Sequence, residues 1–85
     1  MIENKFDNIL SDSFVKRMEK ELRDNQAKGN WKEWKPTKQE WLWEIQYHMA
    51  KLQMAIQNNE KENIKEYSAD VANLAEKSYT EFGLS

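Results

Sequence analysis

Glu66, Asp70 and Asn73 are the residues of this chain best placed to do chemistry. They are stepped by four and then by three. Residues three and four apart on a helix are surface neighbours, so two acids and an amide would share one edge. Such an edge can hold a divalent cation or meet a phosphate. The stretch that carries it, Ile64 to Leu74, also repeats Ile64, Tyr67, Val71 and Leu74 at the spacing of a helix seam. Glu44 and His48, one helical turn apart earlier in the chain, add a carboxylate and an imidazole. Together with Glu66 and Asp70 they would make a mixed site suited to Mn²⁺ or another transition metal. The alternative for His48 is a seam-edge histidine with an ordinary hydrogen bond, and for Glu66 and Asp70 it is a pair of exposed acids flanking a seam.

Stepping those side chains into place requires helices. The chain has 85 residues with two Gly and one Pro, which suits one domain of a few long helices. Ile2, Phe6, Ile9 and Leu10 suggest an N-terminal arm over 1–12. Ser11, Asp12 and Ser13 are good caps for a helix over 13–27, with Phe14, Val15, Met18 and Leu22 on its apolar side. Residues 28–36, K-G-N-W-K-E-W-K-P, form a connector. Thr37 and Glu40 have the spacing of a capping box, opening a helix over 37–58. Its seam is Leu42, Ile45, Met49, Leu52 and Ile56, alternating three and four as in coiled coils, with Trp41, His48 and Ala55 widening the stripe. Asn58 and Asn59 end it, and a last helix spans 61–82 with Gly83 beyond it. The expected fold is all-α: an antiparallel helical hairpin plus one or two N-terminal helices. Apolar residues lie on more than one side of these helices, so a homodimer completing a four-helix bundle is expected.

Composition removes several function classes. There is no Cys, so disulfides, thiol catalysis and zinc–thiolate sites are excluded. No apolar run is long enough to span a bilayer, and the N-terminus is too polar for a secretory signal, which points to the cytoplasm and to no membrane partner. A formal net charge of −2 argues against a broad nucleic-acid footprint. Charges such as Lys16, Arg17, Glu19, Lys20, Glu21 and Arg23 read as a solvated helix face.

Trp31, Trp34, Trp41 and Trp43 fall within thirteen residues, interleaved with Lys28, Lys32, Lys35 and Lys38. Three uses fit. An indole can stack on a nucleobase while Lys28 meets a phosphate. Exposed indoles can anchor a protein partner. Or the rings wall the core and the lysines face solvent.

Four pieces of the chain together resemble a known pattern: F-V-x-x-M-x-x-x-L at 14–22, N-x-x-K-G-x-W at 25–31, L-x-x-I-x-x-x-M-x-x-L-x-x-A-I at 42–56, and I-x-E-x-x-A-D-V-A-N at 64–73. They resemble the all-α MazG-like nucleotide pyrophosphohydrolases, in particular short phage-type and bacterial MazG-like proteins. The resemblance implies cleavage of nucleoside triphosphates to monophosphate and pyrophosphate, with Mg²⁺ held by acids from two helices. It places the second acidic motif on Glu66 and Asp70, with phosphate contacts at Lys28 and Asn73 and base stacking on Trp31. The first motif, E-E-x-x-E, falls on Tyr47, His48 and Lys51, none of them a carboxylate. The expectation is therefore a degenerate MazG-like protein that binds a nucleotide or a protein partner, with hydrolysis impaired or absent. Lys51 would replace the metal by pairing with Asp70 or Glu66. Two alternatives stand beside it: an active pyrophosphohydrolase using Mg²⁺ or Mn²⁺ on a rearranged site with Glu44 and His48, and a non-enzymatic interaction or inhibitor protein that uses the Trp-rich connector.

Overall fold

α-Helices and turns in the first half of the chain begin where a side chain supplies the partner for an exposed backbone amide. The computed structural model describes residues 10–25 and 30–84, and these are all-helical. Ser11 caps α1 (Asp12–Asp24), its hydroxyl accepting from the Phe14 amide at 3.3 Å. Asn30 caps a short 3₁₀ turn at Trp31–Glu33. Thr37 and Glu40 form the expected capping box at the start of α2 (Lys38–Gln57), with bonds of 3.1 and 2.8 Å. Donation from the Thr37 backbone N–H, with a smaller contribution from the Thr37 side chain, holds the Glu40 carboxyl below the usual carboxylate range.

The turn between α2 and α3 (Lys61–Ser78) is closed by two backbone bonds. Glu60 N–H donates to Ala55 O at 3.0 Å, and Asn59 N–H to Ile56 O at 3.2 Å. This Schellman geometry needs a left-handed residue, and Asn59 supplies it with φ 57°. Past Ser78 the helix widens into a π turn, Tyr79–Gly83, with Leu84 N–H donating to Tyr79 O at 3.0 Å. The sequence-based ends shift accordingly: α1 stops at Asp24, and α3 proper stops at Ser78. The expected N-terminal arm, up to residue 9, and residues 26–29 lie outside the described residues.

α3 is the central element, packing on α2 along one side and on α1 along another. The apolar core is thin: Ala55, Ala69 and Leu74 are its buried members. Three side chains bond to the backbone of distant elements across it. Trp41 Nε1 donates to Leu74 O at 2.8 Å, Asn73 Nδ2 to Met18 O at 3.0 Å, and Lys77 Nζ to Trp31 O at 2.6 Å.

α2 is rotated from its expected seam. Of the expected seam, Leu42, Met49 and Ile56 are 45 %, 40 % and 53 % exposed while Ile45 and Leu52 are half-buried; on the adjoining stripe Ala55 is buried and Trp41 and His48 are half-buried. The small Ala55 lets the two helix backbones approach, so the hairpin closes on the Trp41–His48–Ala55 stripe. No helix among the described residues is long and apolar enough to cross a membrane.

Candidate functional site

Two stripes with the same four-then-three step, Glu44–His48–Lys51 on α2 and Glu66–Asp70–Asn73 on α3, face one cleft of about 780 Å³. α1 closes it with Glu21, Leu22, Asp24 and Asn25, and the connector with Asn30, Trp31 and Trp34. The hairpin thus brings together Trp31, Glu44, His48, Lys51, Glu66, Asp70 and Asn73. Lys28 lies outside the described residues.

His48 is the centre of the arrangement. Its Nδ1 lies 3.7 Å from Asp70 Oδ2, and its Nε2 lies 3.5 Å from Glu44 Oε2. Nδ1 is buried and makes no hydrogen bond within the chain. An imidazole between two carboxylates at these separations is one small adjustment from a direct bond to either.

Asp70 is mostly buried, with 18 % of its side chain exposed. Burial is the main cause pushing its carboxyl above the usual range; the nearby Glu21 and Glu66 carboxylates push the same way, and His48 and Lys51 oppose them. Glu21 is itself buried and receives Arg17 Nε at 2.7 Å. The cleft therefore carries Glu21, Asp24, Glu44, Glu66 and Asp70 against Lys51 and His48. A bare phosphate would meet net repulsion there, whereas a cation, or an anion that arrives with one, would not.

Lys51 departs from expectation. It makes no ion pair with Asp70 or Glu66; its ammonium lies 4.5 Å from the Tyr67 ring centre and 5.0 Å from that of Tyr47. The hairpin register explains this. His48 stands opposite Asp70, so Lys51, nearly one turn further along α2, stands opposite Tyr67. Its charge still reaches Asp70 through space.

The mixed metal site is not assembled either. Among the described residues no three His, Asp or Glu side chains converge closely enough to enclose an ion. The oxygen donors of Asp70 and Glu66 do suit a hard cation that completes its shell with ligand oxygens and water, as Mg²⁺ does.

Asn73 lines the cleft but spends its amide N–H on Met18 O, which makes it a clasp between α3 and α1. Trp31 and Trp34 are half-buried, their ring centres 5.4 Å apart. Two residues escaped the sequence reading. Glu21 was taken as part of a solvated face, although it sits three residues after Met18 and seven after Phe14, on the buried side of α1. Lys77 continues the Glu66–Asp70–Asn73 stripe by one more step of four and is buried at 3 % exposure. No family model, curated protein or solved structure matches the chain.

Proposed function

We propose that this chain is a degenerate MazG-like protein that binds a nucleotide in its acidic cleft, with hydrolysis impaired. The observation that carries the reading is the convergence of the Trp31 wall, the His48–Asp70 pair and Glu66 on one cleft large enough for a nucleotide. Because carboxylates dominate the lining, the nucleotide enters with a divalent cation. Asp70 and Glu66 hold that cation from the protein side, and it neutralises the phosphate charge when bound. Trp31 and Trp34 supply an apolar wall for the base. Impaired hydrolysis follows from α2, which turns His48 and Lys51 toward the cleft where the resemblance calls for acids.

The experiment is titration of the protein with ribo- and deoxyribonucleoside triphosphates, with Mg²⁺ or with a chelator, read by tryptophan fluorescence and pyrophosphate release. Binding that requires Mg²⁺, without pyrophosphate release, is the expected result. Steady pyrophosphate release would replace it by the active enzyme using Glu44 and His48. Silence across the panel would end the nucleotide reading. A partner-protein role through the connector is the weaker reading, because Lys77 ties Trp31 and Trp34 inward and leaves Trp43 as the openly exposed indole.

The same proposal includes a homodimer. Beyond Lys38 at its first position, the outer half of α2 (Gln39, Leu42, Ile45, Gln46, Met49, Ala50, Leu52, Gln53, Ile56 and Gln57) contains no charge, in a chain that is 33 % charged. Charge depletion is the compositional mark of an interface core. The seam is also nearly palindromic about Met49. An antiparallel two-fold pairing would set Leu42 against Ile56 and Met49 against Met49 of a second copy, with Ile45 and Leu52 one residue off direct register, as a self-complementary patch requires. Met49→Glu, which puts two like charges on the axis, is expected to weaken dimerisation by at least about 100-fold while leaving the monomer helical. Sedimentation of both proteins at micromolar concentration checks this; a monomeric wild type would refute the dimer.

A further inference from the structure

We propose that Lys77 is a positioning residue that holds the tryptophan connector as a wall of the cleft; its bearing on affinity rests on the nucleotide reading above. Lys77 does not line the cleft. It lies beneath, on α3, with 4 % of its side chain exposed.

Its ammonium is fully engaged. Nζ donates to Trp31 O at 2.6 Å and to Trp34 O at 3.2 Å, and Glu81 Oε1 lies 3.8 Å away. The Trp31 and Trp34 ring centres lie 5.0 and 5.9 Å from it. Lys35, on the connector, reaches the same Glu81 oxygen at 3.3 Å. One buried cation therefore gathers two connector carbonyls, two indoles and, through Glu81, a connector lysine.

The physical need for it is clear. A 3₁₀ turn of three residues has little internal bonding, and the irregular residues 34–37 separate it from α2. Trp31 O accepts from Trp34 N–H at 3.3 Å, and the remaining carbonyl capacity points toward α3. A lysine is seldom buried, because the charge must be matched on every side. Here the match is made by the backbone of the segment that carries the aromatic wall. Loss of the charge would leave Trp34 O without its Lys77 donor and Trp31 O with the Trp34 amide alone, and would free the indoles to turn.

The test uses Lys77→Met, which keeps the apolar stem, and Lys77→Arg, which keeps the charge. Three readouts are taken: tryptophan emission with near-ultraviolet circular dichroism, affinity for Mg²⁺-nucleotide, and the thermal transition of the helices. Lys77→Met is expected to red-shift the emission, to lose the near-ultraviolet signal of the Trp31–Trp34 pair, and to bind nucleotide roughly tenfold more weakly, as loss of one stacking wall implies. Lys77→Arg is expected to retain more of both the signal and the affinity than Lys77→Met. A Lys77→Met protein with native emission and native affinity would overturn the proposal. Where that variant does not fold, hydrogen exchange of the wild-type protein decides: the Glu33 and Trp34 amides are expected to be protected alongside α3, and free exchange there overturns it. A wild type that binds no nucleotide defeats the functional reading alone, since emission and exchange still judge whether Lys77 holds the wall.

Discussion

Trp41→Ala is expected to leave the chain largely unfolded in buffer at room temperature. A domain of this length is stabilised by about 4–13 kcal/mol at the usual per-residue range, and the thin apolar core among the described residues places this one toward the lower end. Trp41 is the main bolt between α2 and α3. Its Nε1–H donates to Leu74 O at 2.8 Å, and its ring meets Phe82 edge-on at 6.4 Å. Truncating a packed tryptophan ring costs about 3 kcal/mol or more. The lost hydrogen bond adds about 1 kcal/mol. Trp41→Phe separates the two contributions: it keeps most of the packing and loses the donor, so its cost should be the smaller one. Urea titrations followed by helical circular dichroism check both. A Trp41→Ala midpoint equal to that of the wild type would mean that the hairpin is held elsewhere.

Local chemistry was readable in the sequence; register and rotation were not. The capping box at Thr37 and Glu40 needs no tertiary information, since both partners lie within one turn. The end of α2 at Asn58 and Asn59 was legible for the same reason, because asparagine tolerates the left-handed backbone that Asn59 adopts. The rotation of α2 was hidden. Two stripes one residue apart, Leu42–Met49–Ile56 and Trp41–His48–Ala55, both repeat at seven. Hydrophobicity favours the first, but close approach to α3 favours the second through the small Ala55. Only the packed hairpin decides between them.

The candidate site divides along the same line. Glu66, Asp70 and Asn73 share a face by helix geometry alone, and they do face the cleft. Which α2 residue meets Asp70 depends on the turn length, and a shift of three residues separates the expected Lys51 from the observed His48. Lys77 was passed over because a lysine four residues beyond Asn73 reads as solvated; its burial depends on carbonyls more than forty residues earlier in the chain, at Trp31 and Trp34.

Asp70→Asn is expected to act in opposite directions on binding and on stability. The variant keeps the shape of the side chain and removes the charge. If Asp70 holds the cation that accompanies the nucleotide, affinity in Mg²⁺ should fall about 10- to 100-fold, the worth of one charged contact. Stability should rise at neutral pH. Burial, reinforced by Glu21 and Glu66, raises the Asp70 carboxyl above its ordinary value of 3.8, so the fold favours its protonated form. That contribution is complete below the unfolded-chain value and is lost as pH rises through the folded value. At neutral pH the wild type thus carries the cost of a charged, mostly buried carboxylate, and the asparagine variant does not. For a domain of this size each kcal/mol relieved raises the melting temperature by about 4–8 °C. The exposed acids, such as Glu40 and Glu62, titrate alike in both proteins and cancel in the difference. Melting temperatures of the pair, measured from neutral pH down toward 3.8, should therefore be separated at the neutral end and converge on acidification. A variant that melts below the wild type at neutral pH would mean that attraction to His48 outweighs burial. A variant that melts higher and binds nucleotide as before would keep the electrostatic argument and remove Asp70 from the site. The two readouts are independent, and a carboxylate retained at a cost to the fold is what a binding role predicts.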